Sequence, residues 1–319
     1  MSRARPVAPT RADVLDASTR IQGLVRPVSV VESPGIAQGA VVAIETLQPT
    51  GSFKVRGALT ALMPLASGTR VVAASTGNHA LAIAHAAEVL ELEAAVVVPQ
   101  SVSPAKLAAL ESFEALELTK HGKSFDEAER HGLKLATKSG RYISPYNDRL
   151  VIAGQGTLAV ELLKRLDGSL TIVCPIGGGG LAAGVALWAT QRSGVRVVGV
   201  NVEASDAMAK AMANDKISRV KIGETLADSL VGNLEQGAVT VDLVQRYLES
   251  VITISEKELA AGMRYLAVEH GLLVEGAGAV ATAAALAGKV EAESGRLVAL
   301  VTGRNVAPPV IAKVLRSRK

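Results

Sequence analysis

The chain has 319 residues, of which 49% are apolar and 3% aromatic, and its formal net charge is +4. Length and apolar content predict one large or two modest domains, and an apolar fraction made mostly of Ala, Val and Leu favours buried parallel strands. Four Tyr, three Phe, one Trp and scattered basic residues provide no basic and aromatic surface, which excludes a nucleic-acid partner.

Strand-like and helix-like segments alternate along the chain. Residues 11–25 predict an amphipathic helix with Val14, Leu15 and Ile21 facing inward. Further strands are predicted at 28–31, 40–45, 70–74, 94–99, 115–119, 141–143, 170–176, 195–202, 251–254 and 297–302. Further helices are predicted at 55–65, 79–90, 104–112, 124–138, 154–166, 181–192, 240–249, 256–269 and 276–288, with a last helix from about 306.

This alternation predicts the α/β class, with βαβ units around mostly parallel sheets flanked by helices. The regular rhythm of residues 66–145 predicts a small domain inserted between two parts of a larger domain, 1–65 and 146–319. Cys174 is the single cysteine and lies in an apolar run, which predicts a buried thiol and a reducing compartment. No signal segment opens the chain and no apolar stretch can span a bilayer, so we expect a cytoplasmic protein without a membrane partner.

A single lysine lies at the start of the helix predicted at 55–65, after a glycine-bearing turn. Ser52 is the expected N-cap, which places Lys54 in the first turn. The helix dipole and burial would both lower the pKa of the Lys54 amine and favour a nucleophile or a base. The stretch is equally consistent with a surface lysine near a helix start.

Three predicted turns follow the carboxyl ends of strands, where open α/β sheets bind ligands. The turn Ser75-Thr76-Gly77-Asn78-His79 would direct backbone N–H groups toward a carboxylate or phosphate, although an ordinary turn has the same composition. The turn Gly177-Gly178-Gly179-Gly180-Leu181 favours a nest of N–H donors around one phosphate over a mere turn. Thr302 ends the last strand and would either bind a ring nitrogen or cap the final helix.

The lysine turn, the Asn-bearing turn and the four-glycine turn, in this order, resemble fold-type II pyridoxal-phosphate enzymes. More narrowly, the chain resembles the serine/threonine dehydratase and serine racemase group. The resemblance covers the chain nearly end to end and lies in TGSFKVRGA (50–58), ASTGNHA (74–80), VIAGQGT (151–157), PIGGGGLAAG (175–184), TLADSL (225–230), LLVEGAGA (272–279) and VTGRNV (301–306).

The resemblance implies a homodimer that binds pyridoxal 5'-phosphate and a small amino-acid substrate. Lys54 would bind the cofactor covalently and act as the catalytic base, together with Thr76 as a second candidate catalytic residue. The implied cofactor contacts are Phe53, Lys54, Asn78, Gly177, Gly178, Gly179, Gly180, Leu181, Glu275 and Thr302. The implied substrate contacts are Ser75, Thr76, Gly77, Asn78, His79, Tyr146, Gln155 and Ser229.

The implied reaction is β-elimination from L-threonine, L-serine or a related β-hydroxy amino acid, giving a 2-oxo acid and ammonia. Racemases of the group have Ser where this chain has Thr76, which makes an amino-acid racemase the alternative enzyme. Ser229 stands where the group often has Gly, and this leaves the pocket shape open. The group's divalent-metal loop would begin at Glu203, with a carbonyl ligand from Ala207. Ala209 replaces its further carboxylate, so we expect a weak or absent metal site. A non-catalytic protein that binds a phosphorylated ligand is the alternative of another class.

Overall fold

The computed structural model of the chain describes residues 6–75, 77–100, 102, 104–123, 125–292 and 295–316. The strands are β1 (Ser29–Glu32), β2 (Val41–Ile44), β3 (Arg70–Ala74), β4 (Glu93–Val98), β5 (Leu116–Lys120), β6 (Arg141–Tyr142), β7 (Leu170–Pro175), β8 (Val195–Val202), β9 (Ser250–Ile254) and β10 (Arg296–Val301). The helices are α1 (Arg11–Arg20), α2 (Lys54–Leu62), α3 (Asn78–Val89), α4 (Pro104–Glu111), α5 (Phe125–Ser139), α6 (Arg149–Arg165), α7 (Gly180–Ala189), α8 (Ala207–Asn214), α9 (Val239–Tyr247), α10 (Glu256–His270), α11 (Gly276–Leu286) and α12 (Pro308–Arg316).

The larger of two sheets has six strands in the order β1-β2-β10-β7-β8-β9. Only β1 is antiparallel to its neighbour, and the other strands are mutually parallel. β2, β7 and β10 are buried along nearly their whole length, because helices cover both faces of the sheet. The α/β class with mostly parallel sheets is therefore confirmed.

The smaller sheet has four parallel strands in the order β5-β4-β3-β6. All four lie between residues 70 and 142, inside the range predicted for a small domain. Helix α2 shares the apolar core of this sheet, since Val55 and Leu59 cluster with Val71 and Ile83. Helix α2 also packs against α6, so it lies between the two sheets. The domain division at residues 66 and 145 remains a proposal.

Several predicted elements differ from the structure at their ends. Helix α1 ends at Arg20 and buries Val14, whereas Leu15 is 49% exposed, so its inward placement was wrong. Helix α6 begins five residues before the predicted start, because the Asp148 carboxylate caps it by accepting from the amides of the next turn. Helix α8 was not predicted. Within the described ranges, no helix combines the length and apolar character needed to cross a bilayer.

A buried ion-pair network anchors the start of α2. Arg56 and Glu45 are both 0% exposed, and the guanidinium donates to the two carboxylate oxygens at 2.7 and 2.8 Å. The same guanidinium donates to Glu161 on α6 at 2.6 Å and to Thr157 at 3.2 Å. Because a two-oxygen contact with a planar guanidinium fixes its orientation, the network holds α2 to the end of β2 and to α6.

We expect Arg56→Ala to lower the free energy of unfolding by about 3–5 kcal/mol, because it leaves the Glu45 carboxylate buried without its partner. The matched control is Arg296→Ala, since Arg296 pairs with Glu32 at the surface and both side chains are largely exposed. That variant should lose at most about 1 kcal/mol. Urea denaturation of the cofactor-free proteins measures both values, and similar losses would contradict the anchoring role of Arg56.

Candidate active site

The lysine turn is held against the chain that leaves the end of β10. Ser52 and Gly303 form an antiparallel bridge, and the Phe53 amide donates to the Thr302 carbonyl at 3.1 Å. The Arg304 amide donates in turn to the Gly51 carbonyl at 3.0 Å. These backbone contacts fix where α2 begins, and α2 begins at Lys54.

The predicted N-cap was wrong. The cap position is Phe53, which has a helical backbone and makes no side-chain cap bond. Ser52 is engaged with Gly303 instead, and its buried hydroxyl has no hydrogen-bond partner among the described residues. The cap position therefore lies one residue after the predicted one, because backbone pairing with Gly303 and Thr302 rather than a side-chain cap fixes the start of α2.

Lys54 is partly exposed as a residue, but its amine lies in enclosed surroundings. Its Nζ donates to the Pro145 carbonyl at 2.9 Å and lies 5.3 Å from the centre of the Phe53 ring. Burial lowers the pKa of the Lys54 amine to about 8, although the nearby Glu275 carboxylate opposes this shift. A substantial fraction of the amine is therefore neutral near pH 8, as a nucleophile or a base requires.

Asn78 and Glu275 form the centre of a hydrogen-bonded group that reaches the lysine turn through Asn305. The Asn78 Nδ2 donates to Glu275 Oε1 at 2.5 Å, and the Ser229 hydroxyl donates to Glu275 Oε2 at 3.3 Å. The Asn78 Oδ1 accepts from Asn305 Nδ2 at 2.6 Å. Burial raises the pKa of Glu275 to about 7, against the opposing hydrogen bond from Asn78. Sequence reasoning missed Asn305 as a site residue, although it lies inside the VTGRNV stretch.

The four-glycine turn follows β7 and opens α7 at Gly180. A Cβ at Gly178 would lie 2.3 Å from Cγ of Tyr146, and a Cβ at Gly177 would lie 3.2 Å from the Leu230 backbone. Gly179 has a φ of +89°, a conformation that side chains disfavour. The turn therefore needs glycine both for space and for its backbone, and it leaves the first N–H groups of α7, including that of Leu181, directed out of the helix end.

Ser75 lies on the turn between β3 and α3, and His79 lies in the first turn of α3. Burial, with the Lys54 charge as a second cause, lowers the pKa of His79 to about 3. With this pKa the ring is neutral near pH 7. Its Nε2 lies 3.0 Å from the Ile143 carbonyl, and because a carbonyl can only accept, Nε2 is the donor. The Gly77 amide donates to the Ser75 hydroxyl at 3.2 Å, and Gly77 is the cap position of α3. Thr76 lies outside the described residues.

Tyr146 links the four-glycine turn to the lysine, since Pro145 contacts Lys54 and the Tyr146 ring covers Gly178. Its hydroxyl accepts from the Glu235 amide at 2.9 Å, and burial raises the pKa of this phenol. Thr302 is buried beside the lysine turn, and its hydroxyl lies 3.5 Å from the Ala277 carbonyl.

The remaining predicted groups are Gln155 and the two residues of the metal loop. Gln155 is buried where α6 meets α2, next to Gly57, and its amide has no hydrogen-bond partner among the described residues. Its contact with substrate stays a prediction. Glu203 is exposed and Ala207 opens α8, and in the part of the chain that the structure describes no three His, Cys, Asp or Glu side chains form a metal-binding group.

Comparisons with known proteins show which family the chain is similar to. A sequence profile described as "Pyridoxal-phosphate dependent enzyme" matches residues 21–303. An L-threonine ammonia-lyase of Thermotoga maritima is 34% identical over 277 residues, covering 85% of this chain and 68% of that protein. A catabolic L-threonine dehydratase of Staphylococcus aureus is 32% identical over 307 residues, covering 92% of this chain and 88% of that protein. The structure of maize serine racemase superposes with a TM-score of 0.88 at 28% identity, covering 96% of this chain and 97% of the other.

We expect Gly178→Ala to weaken binding of pyridoxal phosphate by about tenfold or more, since the new methyl group would displace the Tyr146 ring from the four-glycine turn. The matched control is Gly132→Ala, because a Cβ at this glycine of α5 would meet its nearest atom at an ordinary 3.5 Å. Equilibrium titration of the cofactor-free proteins gives the affinities. Equal affinities for the two variants would contradict binding of the cofactor phosphate at the four-glycine turn.

The reactivity of the Lys54 amine should rise with pH through about 8, as the ammonium loses its proton. Glu275→Gln should move this midpoint to lower pH, because the carboxylate charge favours the protonated amine. Reductive methylation of cofactor-free protein, quantified at Lys54 by peptide mass spectrometry, measures the midpoint. Glu32→Gln, on the exposed strand β1, should leave it unchanged. If Glu275→Gln leaves the midpoint unchanged, the result contradicts the proximity of the Lys54 and Glu275 charges.

Proposed function

Because the chain belongs to the family of pyridoxal-phosphate dependent enzymes, we propose that it is an ammonia-lyase that acts on a β-hydroxy amino acid. The substrate is L-threonine, L-serine or a related compound, and the products are a 2-oxo acid and ammonia. The observation that carries the proposal is the enclosed Lys54 amine, with a pKa of about 8, between the Asn78 and Glu275 group and the four-glycine turn. Relatives whose names give L-threonine ammonia-lyase or dehydratase activity support it.

The residues at the site fit pyridoxal phosphate on three independent grounds. The amine of Lys54 suits covalent attachment of an aldehyde, because burial keeps part of it neutral. The four-glycine turn leaves no room for side chains and presents backbone N–H groups at a helix N-terminus, as a phosphate needs. The Asn78 amide offers a donor to a ring oxygen.

We assign each part of the cofactor to residues of this chain. Lys54 would bind the aldehyde carbon covalently, and Phe53 would lie against the face of the ring. Asn78 and Glu275 would lie beside the ring oxygen. Thr302 would face the ring nitrogen. The phosphate would be bound by Gly177, Gly178, Gly179, Gly180 and the Leu181 amide. The bound cofactor withdraws electrons from the substrate Cα, so that the Cα–H bond becomes acidic.

Lys54 is the base that removes the Cα proton in this proposal. Burial makes the amine a proton acceptor near neutral pH, and the Pro145 carbonyl holds Nζ in place through one hydrogen bond at 2.9 Å. Thr302 is neutral and does not hold a proton on the ring nitrogen as a carboxylate would. This milder electron withdrawal is sufficient for elimination, because the departing β-hydroxyl takes up the developing charge.

The substrate carboxylate is proposed to bind at the N-terminus of α3, between Ser75, Gly77 and the amides that follow. His79 is neutral there and is held by the Ile143 carbonyl, so it shapes the turn without a charge of its own. Ser229 donates to Glu275 and is proposed to face the substrate side chain, together with Tyr146.

A racemase is the second enzyme that the site supports, given the structural likeness to maize serine racemase. Racemisation needs an acid or base on each face of the substrate Cα. Lys54 supplies one, and Thr76 is the candidate for the other. A threonine hydroxyl is restricted by its methyl group, so we favour elimination.

A homodimer and a cytoplasmic location are also part of the proposal. Val268 is 73% exposed and Leu273 is 56% exposed at the carboxyl end of α10 and just beyond it, and they are candidate contacts with the second subunit. The one cysteine is buried and cannot form an internal disulfide, which supports a reducing compartment.

The decisive experiment assays the cofactor-loaded protein with a panel of β-hydroxy amino acids for ammonia, 2-oxo acid and the configuration of recovered substrate. We expect ammonia and 2-oxo acid in equal amounts from L-threonine or L-serine. Lys54→Ala should lose this activity and the cofactor that borohydride fixes to the protein. Lys313→Ala, an exposed lysine on α12, should keep both.

Other outcomes of the same panel separate the alternatives. Inverted amino acid without ammonia would identify a racemase. Reversible cofactor binding with neither product would identify a binding protein. Failure of the wild-type protein to bind pyridoxal phosphate would overturn the proposed function and its residue roles.

A further inference from the structure

Asn305 contacts two parts of the site, Thr50 and Asn78, which lie 255 and 227 residues before it in the sequence. Its Nδ2 donates to the Thr50 carbonyl at 2.8 Å and to Asn78 Oδ1 at 2.6 Å. We propose that Asn305 is a positioning residue that fixes which end of the Asn78 amide faces the cofactor. This inference rests on the proposed function, because it gives Asn78 its role toward the cofactor's ring oxygen.

The direction of the amide follows from the order of donors and acceptors. A backbone carbonyl can only accept, so the Asn305 atom that faces Thr50 must be the nitrogen. The same nitrogen faces Asn78, and both of its hydrogens are then used. Asn78 must therefore accept with its Oδ1, so its Nδ2 faces Glu275. One hydrogen of the Asn78 Nδ2 then remains for the cofactor.

Glu275 does not fix this orientation by itself. An ionised carboxyl group accepts from the Asn78 nitrogen, but a protonated one can also donate to the oxygen of a reversed amide. Asn305 lacks this ambiguity, since the Thr50 carbonyl holds its nitrogen toward Asn78 whatever the charge of Glu275.

The surroundings of Asn305 leave it little freedom to turn. A Cβ at Gly51 would lie 2.5 Å from Asn305 Oδ1, and Gly51 has a φ of +72°. Glycine at this position therefore gives the Asn305 side chain its space as well as permitting the turn. The Arg304 amide, which bonds to the Gly51 carbonyl, fixes the backbone next to Asn305.

The test is a double-mutant cycle on the cofactor-loaded protein with Asn305→Ala, Asn78→Ala and the double variant. The readout is the apparent pKa at which the visible absorbance of the lysine-bound cofactor changes. A donor to the ring oxygen favours its deprotonated form, so its loss raises that pKa. We expect an increase of about half a unit or more for Asn305→Ala, and a larger one for Asn78→Ala.

The double variant should match Asn78→Ala, because Asn305 acts through the Asn78 amide. Asn214→Ala, a surface asparagine at the end of α8, should leave the absorbance titration unchanged. An absent shift for Asn305→Ala, or a shift of equal size in the two Asn78 backgrounds, would overturn the inference.

Thermal unfolding of the cofactor-free proteins shows whether each variant folds. If Asn305→Ala does not fold, Asn305→Ser repeats the cycle, since its side chain stays polar but is too short to contact Asn78. A normal visible band in the unchanged protein with no response to either substitution rejects this inference alone. A missing band in the unchanged protein rejects the proposed function and this inference with it.

Discussion

The buried pair between Arg56 and Glu45 is the constraint on which the site depends. It ties the first turn of α2 to the end of β2, and β2 pairs with β10 up to the contact of Ile44 with Val301. The turn after β10 then pairs with the lysine turn. Lys54 thus lies two residues before Arg56, whose guanidinium cannot move without leaving a charge unpaired in the core.

Segments from distant parts of the sequence each contribute one chemical group to the proposed site. Lys54 supplies an amine, the four-glycine turn supplies N–H groups, and Asn78 with Glu275 supplies a hydrogen-bonded carboxylate. Burial lowers the pKa of the Lys54 amine and of the His79 ring, and it raises the pKa of the Glu275 carboxyl. In each case the neutral form is favoured. Enclosed groups with opposing shifts are typical of a site that transfers protons.

The region around the lysine turn is locally suboptimal for stability. The hydroxyls of Thr50 and Ser52 and the amide of Gln155 are buried without hydrogen-bond partners among the described residues. Each such group lowers stability by about 1–3 kcal/mol. Such groups near the lysine turn fit a region shaped by chemistry as well as by folding.

The sequence by itself determined the fold class and most strand positions, since these follow from the hydrophobic period. Its motifs within single turns propose which residues carry the chemistry, and those roles stay predictions. It could not determine how Ser52 would be used, because that depends on pairing with Gly303 some 250 residues away. Only the tertiary structure showed Asn305 between Thr50 and Asn78, and Gln155 at a helix contact. Partners and burial are set by which segments meet in space, and no local pattern records that.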